Sequence, residues 1–171
     1  MTDYDAVVYD LDGTLVRLAV DWDAAAADVQ GVFRDAGHDP QDSLWELLER
    51  SEEVGLGEAV ESVLSDHERA GARRSKRLPL ADELASATGP VGVCSLNCEA
   101  ACREALAEHG LADAVDAVVG RDTVSAQKPD PEPLLATLSV IDVPPDRAVF
   151  VGDSERDAVA ADRAGVAFRW V

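Results

Sequence analysis

Five short runs along the chain are almost unbroken in apolar residues: Ala6-Val7-Val8-Tyr9-Asp10-Leu11, Val91-Gly92-Val93-Cys94-Ser95, Ala117-Val118-Val119-Gly120, Ala148-Val149-Phe150-Val151-Gly152 and the short Val166-Ala167-Phe168-Arg169-Trp170. A strand with one wet face alternates apolar and polar residues. Continuous runs instead predict strands of a parallel sheet covered on both faces. Stretches with helical character separate the later runs: Glu99 to His109, Glu132 to Leu138 and Arg156 to Ala164. This strand–helix alternation predicts an α/β fold, a Rossmann-like, doubly wound parallel sheet.

The rhythm breaks between the first two runs. Roughly 65 residues there carry helix signals only. Asp21 is placed to cap a helix whose apolar face is Trp22, Ala25, Val29, Val32 and Phe33, with Gly37 as its stop. Leu44, Leu47 and Leu48 form a second apolar face, and Gly55-Leu56-Gly57 punctuates the chain. Val60, Val63, Leu64 and His67 form a third face, with Gly71 near its end. The expected organisation is a core of residues 1–15 and 81–171 with a small all-helical cap, residues 16–80, inserted after the first strand. Internal repeats and low-complexity linkers are absent from the sequence.

Charge narrows the choice of partners. The chain holds 34 acids against 15 bases, for a net charge of −19. Such a surface repels nucleic acid and anionic membranes and attracts cations. No apolar run reaches the ~18 residues of a membrane span. The start, Met1-Thr2-Asp3-Tyr4-Asp5, has no basic stretch followed by an apolar one, so a cytoplasmic location is expected. Thirteen of the bases are Arg and two, Lys76 and Lys128, are Lys. With abundant Ala and few aromatics, this composition resembles that of halophilic proteins from salt-loaded cytoplasms. Cys94, Cys98 and Cys102 are odd in number and lack a suitable fourth ligand nearby, so small buried residues are expected rather than a disulfide or a metal site. His38, His67 and His109 lack metal-like spacing and read as structural.

The candidate chemistry sits at strand ends, where ligands bind in such sheets. Asp10 and Asp12 lie two apart in the turn Asp10-Leu11-Asp12-Gly13-Thr14-Leu15. Both can face one crevice, where their repulsion favours a divalent cation, and a carboxylate can attack phosphorus to give an aspartyl-phosphate. Ser95 ends the second run, with a hydroxyl able to donate to a phosphate oxygen or to cap a helix. Lys128 lies in Gln127-Lys128-Pro129-Asp130-Pro131, just before a helix that Pro131 can start. Asp153 and Asp157 follow the fourth run in Gly152-Asp153-Ser154-Glu155-Arg156-Asp157 and could complete a metal site. Each group alone has an ordinary reading as a cap or a surface charge. The order of acid pair, hydroxyl, lysine and acid pair at successive strand ends is what singles them out.

These motifs resemble the haloacid dehalogenase superfamily, in its branch of small phosphatases similar to phosphoglycolate phosphatase. The resemblance rests on Asp10-x-Asp12-Gly13-Thr14, the Ser95 region, Lys128-Pro129-Asp130-Pro131, and Gly152-Asp153-x-x-x-Asp157 running into Ala160-Ala161-x-x-Ala164-Gly165. It implies Asp10 as nucleophile and metal ligand. It implies Asp12 as general acid and base, with its main-chain carbonyl on the metal. Ser95, Leu96 and Lys128 are implied to bind phosphate, Asp153 to be the remaining acidic ligand and Asp157 to support it. Magnesium is the implied ion and a small phosphorylated metabolite the implied substrate. Two positions depart from the family pattern. Leu96 stands where Asn often follows the Ser, with Asn97 one later, and Arg17 stands where Asp is common. Arg17 is thereby a candidate substrate contact or a partner for a cap carboxylate. The cluster Arg69, Arg73, Arg74, Lys76 and Arg77 at the end of the third cap helix could attract phosphorylated substrates or pair with nearby acids.

The expected activity is hydrolysis of small phosphate monoesters. A phosphomutase shares every motif. A phospho-accepting receiver or interaction module shares the sheet type but has its acceptor Asp on a middle strand and lacks a helical cap. The charge excess generates a prediction of its own, since unscreened like charges oppose compaction. Thermal unfolding followed from low to molar potassium chloride should show the midpoint rising with salt. Equal or greater stability at low salt would count against the halophilic reading.

Overall fold

The computed structural model describes residues 4–171; Met1-Thr2-Asp3, part of the targeting argument, lies outside the described residues. In chain order the elements are β1 (Ala6–Tyr9), β2 (Val16–Arg17), α1 (Trp22–Asp35), α2 (Leu44–Glu53), α3 (Gly57–Ala72), β3 (Lys76–Arg77), α4 (Leu80–Ala85), β4 (Val91–Cys94), α5 (Glu99–Glu108), β5 (Ala117–Val119), α6 (Glu132–Val140), β6 (Ala148–Gly152), α7 (Glu155–Ala164) and β7 (Ala167–Trp170).

Five strands form one parallel sheet in the order β5-β4-β1-β6-β7. Every residue of β4, β5 and β6 is buried. The reason is visible in the two clusters that sandwich the sheet. Successive strand residues point to opposite faces, so Tyr9, Val93 and Val151 join Leu84, Leu106 and Leu111 on one side. Val8, Cys94 and Phe150 join Leu134, Leu138 and Ala161 on the other. Both faces are dry, and the sequence is correspondingly apolar without alternation. The expected doubly wound α/β core is the one observed.

Between β1 and β4 the helices α1, α2 and α3 close on a third cluster of Ala25, Val29, Phe33, Leu47, Val60 and Leu64. Asp21 accepts the Ala24 amide at 3.0 Å, the expected cap. Ser43 and Glu46 form a reciprocal capping box on α2. His67 meets Asp28 at 2.7 Å, linking α3 to α1, while the His38 ring packs edge-on against Phe33. The helix-only expectation for 16–80 misses one feature. β2 and β3 pair antiparallel, Val16 opposite Arg77 and Arg17 opposite Lys76, and Leu78 N–H adds a bond to Leu15 C=O. The chain thus enters and leaves the helical segment through a two-stranded ribbon, which satisfies backbone groups that two bare linkers would leave open. No helix among the described residues is long and apolar enough to cross a membrane.

Candidate active site

The turn after β1 is held from within. Leu11 C=O accepts the amides of Thr14, Leu15 and Val16, and Asp10 N–H still reaches Val151 C=O at 2.9 Å. Gly13 has φ 86°, the left-handed region that glycine occupies without strain. It also makes room: a Cβ built there would lie 2.1 Å from Asp153 Oδ2. The missing side chain therefore lets the acid after β6 approach the acids after β1. Asp12 Oδ1 accepts Leu18 N–H at 2.9 Å, which orients its carboxylate.

Lys128 is buried and its ammonium has three partners. Nζ donates to Asp10 Oδ1 at 2.9 Å, to Asp157 Oδ1 at 2.5 Å and to the Cys94 carbonyl at 3.0 Å. One charge thereby joins the ends of β1 and β4 to the first turn of α7. The other Asp157 oxygen accepts from Ser154 Oγ at 2.7 Å, within the capping box that starts α7. Burial penalises the Lys128 charge, yet Asp10 and Asp157 outweigh it and hold the ammonium above the ordinary lysine range. Burial pushes Asp10 up to about 6, against the pull of Lys128 and with added repulsion from Asp157. Burial also raises Asp12, opposed by the Leu18 amide and the Arg17 charge. Asp153 is raised by burial and then by the Asp157 charge.

Asp10, Asp153 and Asp157 each bring a carboxylate oxygen within 4.8 Å of the other two. An all-carboxylate donor set suits a hard divalent cation. Asp157 is already engaged by Lys128 and Ser154, whereas Asp153 is exposed. Asp10 is engaged by the same ammonium and by Thr14 Oγ1 at 3.4 Å, so Asp153 is the most open of the three acids.

These groups floor a cavity of about 170 Å³. Asp10, Asp12, Lys128 and Asp153 line it from the sheet, and Leu96, Asn97 and Ser154 from the flanking loops. Trp22 and Trp45 line it from the starts of α1 and α2. Larger cavities lie elsewhere, one of about 680 Å³ between Glu49, Glu52, Glu58 and the loop at Asp122. It holds none of the strand-end acids, and size alone does not locate the chemistry.

Of the residues singled out in the sequence, Asp10, Asp12, Leu96, Lys128 and Asp153 line this cavity, and Asp157 supports it from beneath. Ser95 does not line it. Its hydroxyl donates to Asn97 Oδ1 and accepts Asn97 N–H, both at 3.1 Å, while Asn97 itself reaches the cavity. Arg17 is exposed and outside the lining, although its charge acts on Asp12 and Asp153. In the basic cluster, Arg69 and Arg73 pair with Glu104 on α5, and Arg77 with Asp82. The cluster residues are absent from the cavity lining. The three cysteines are buried and free, and burial raises each thiol, Cys94 and Cys98 to about 11.

A second buried ion pair escaped the sequence reading. Arg121, in the loop after β5, donates to Glu68 on α3 at 2.6 and 3.0 Å, to Glu61 at 2.6 and 3.0 Å, and to the Leu96 carbonyl at 2.9 Å. Glu68 is fully buried. It also accepts Cys98 N–H at 2.9 Å and Asn97 Nδ2 at 3.3 Å. A helix of the inserted segment thus sets the loop that carries Ser95, Leu96 and Asn97. Glu68 and Arg121 are 53 residues apart, and neither belongs to a motif. The nearest signal was Glu68 following the apolar positions Val60 and Leu64 at helical spacing.

The strand-end carboxylates and one buried lysine gather at the carboxyl edge of a parallel sheet, in a Rossmann-like, doubly wound α/β fold. The model of the haloacid dehalogenase-like hydrolases matches residues 7–171. The phosphoglycolate phosphatase of Rhodospirillum rubrum is 35% identical, with 94% of this chain and 76% of the relative aligned. That of Cereibacter sphaeroides is 32% identical, with 95% and 82% aligned. Among solved structures, CbbY from Rhodobacter sphaeroides in complex with phosphate superposes with a TM-score of 0.70 at 19% identity, covering 98% of this chain and 85% of that one. A haloacid dehalogenase-like phosphatase from Thermococcus onnurineus gives 0.61 at 24% identity, covering 98% and 86%. The chain belongs to the haloacid dehalogenase-like hydrolase family, and it is an enzyme of the phosphatase kind.

Removing one partner of a buried ion pair strands the other charge. Arg121→Met should therefore cost about 3–5 kcal/mol of unfolding free energy. Glu61 is partly exposed, so Glu61→Gln should cost no more than about 1 kcal/mol. Chemical denaturation measures both. A loss for Arg121→Met no larger than for Glu61→Gln would contradict the structural role given to the Glu68–Arg121 pair.

Proposed function

We propose that this enzyme is a metal-dependent phosphatase that hydrolyses small phosphate monoesters through an aspartyl-phosphate on Asp10. The observation that carries the reading is the buried Lys128 ammonium bridging Asp10 and Asp157, with Asp12 and Asp153 beside it on the floor of one small cavity. In this reading the Asp10 carboxylate attacks phosphorus while Lys128 and the Leu96–Asn97 loop hold the phosphoryl oxygens and Ser95 orders that loop. Asp12 gives its proton to the departing alcohol oxygen. Burial raises its pKa, which suits a carboxyl group that must carry a proton at the start. As a carboxylate, Asp12 then takes a proton from the water that attacks the acyl phosphate, releasing phosphate and restoring Asp10.

The donor set fits magnesium, held by the carboxylates of Asp10 and Asp153 and the main-chain carbonyl of Asp12. When bound, it would offset the negative charge shared by the phosphoryl oxygens and the clustered carboxylates. Relatives named phosphoglycolate phosphatase support a small phosphorylated metabolite as substrate. Residues 16–80 act as the cap over this site, a role that a phospho-accepting receiver lacks. Trp22 and Trp45 at the cavity favour a capped enzyme over such a module.

Substitution separates the two acids of the first motif. Asp10→Asn should abolish turnover and leave no covalent intermediate, since an amide is a poor nucleophile. Asp12→Asn should slow turnover by roughly 10²–10⁴-fold, yet accumulate phosphorylated Asp10 with an aryl phosphate whose leaving group needs little protonation. Intact-protein mass after rapid acid quench, followed by peptide mapping, reads this. Label on another residue, or full activity in Asp10→Asn, would refute the mechanism.

A further inference from the structure

Trp22 and Trp45 line the cavity together with the strand-end acids. Trp22 is the first residue of α1 and Trp45 the second of α2, so both helices begin at this cavity. Their ring centroids are 6.0 Å apart with planes tilted by 47°. Trp22 keeps 36% of its surface exposed. The space between the indoles and the acids is about 170 Å³, room for little beyond a phosphoryl group and a few further atoms.

Most cations of the surrounding elements are paired with acids of their own. Lys128 is the cation lining the cavity among the described residues, and its three donors are shared among Asp10, Asp157 and Cys94. Arg121 is bound by Glu61 and Glu68, Arg69 and Arg73 by Glu104, and Arg50 by Asp42. Arg156 lines a neighbouring cavity that shares Trp45 and Lys128 with the site, together with Glu49 and Asp130. Arg17 acts on Asp12 and Asp153 from outside the lining. The site thus sets four carboxylates, Asp10, Asp12, Asp153 and Asp157, against one ammonium and, in the reading above, one magnesium ion before any phosphate arrives. A second anion on the substrate would meet those acids on one side. On the other it would meet the negative faces of two indoles.

Resting on the phosphatase reading above, we propose that the substrate is a small phosphate monoester whose leaving group is not anionic and packs against Trp22 and Trp45. The pair is the specificity determinant of the site. It favours an uncharged alcohol with an apolar face, or one bearing an ammonium, and it disfavours a carboxylate. This chain would then prefer a different leaving group from the one in the names of its relatives, on the same phosphate-handling floor.

Three esters of matched size test this: 2-phosphoglycolate, 2-hydroxyethyl phosphate and 2-aminoethyl phosphate, with p-nitrophenyl phosphate as the generic substrate and magnesium throughout. The hydroxyethyl or aminoethyl ester should exceed phosphoglycolate in kcat/KM by about tenfold or more, the scale of one aromatic contact with a desolvated group. Trp22→Ala and Trp45→Ala should collapse that ratio, and Trp22→Phe should keep part of it. Phosphoglycolate equal to or better than both other esters overturns the proposal. A preference for phosphoglycolate that disappears in Arg17→Ala overturns it too and assigns the carboxylate to Arg17. A ratio unchanged in both Trp→Ala variants also overturns it. Turnover of p-nitrophenyl phosphate separates these outcomes from failure of the phosphatase reading, in which no ester is hydrolysed.

Discussion

A single ammonium group, that of Lys128, sits buried between two carboxylates and a carbonyl, and the geometry of the site follows from it. Asp10 leaves β1, Cys94 ends β4 and Asp157 lies in the first turn of α7. None of the three could remain buried in place without a counter-charge or donor at the centre. The cost of burying Lys128 is offset only where these elements converge. The parallel sheet supplies that convergence, since its strands present their carboxyl ends along one edge. What remains is an excess of negative charge at the cavity floor, where Asp10, Asp12 and Asp153 are all pushed up by burial. An excess of that kind invites a divalent cation.

The Glu68–Arg121 pair imposes a second constraint, on the helical segment. α3 packs along α5 of the core, and its Glu68 holds the Cys98 amide, the Asn97 side chain and Arg121. A helix bonded this way is bound to the phosphate-side loop and would disturb it by moving. α1 and α2, which carry Trp22 and Trp45, have no such buried ion pair to the sheet among the described residues. Within the inserted segment, then, α3 orders the loop of Ser95, Leu96 and Asn97, while the starts of α1 and α2 line the cavity.

Much of this was legible in the sequence because it depends on local patterns. Unbroken apolar runs follow directly from a sheet dry on both faces, and residues such as Val8 and Val93 must be apolar whichever way they point. Acids and a lysine beside strand ends could be placed at one edge without knowing any distance. The helix starts at Asp21 and Ser43 sit where the sequence has capping residues. What stayed hidden depends on long-range pairing. Glu68 lies on a helix rich in acids, and its place in line with Val60 and Leu64 is a weak local sign against exposed Glu58. Its burial is decided by Arg121 in a distant loop. The β2–β3 ribbon is two residues per strand, too short for any periodicity. Ser95 was read as facing phosphate, but its neighbour Asn97, displaced by one position from the family pattern, takes up its hydroxyl. Trp22 read as a helix-face hydrophobic and Trp45 carried no reading, and only the fold shows that both line the cavity with the acids.

A crystal structure of the enzyme with magnesium and orthovanadate tests the central claim most directly, because vanadate takes up the five-coordinate geometry of phosphoryl transfer. The account predicts vanadium bonded to an Asp10 carboxylate oxygen, Lys128 Nζ donating to an equatorial oxygen, and the cation on Asp10, Asp153 and the Asp12 carbonyl, with Asp157 still held by Lys128. Vanadate bound away from Asp10, or a cation that displaces Lys128 from Asp157, would contradict it.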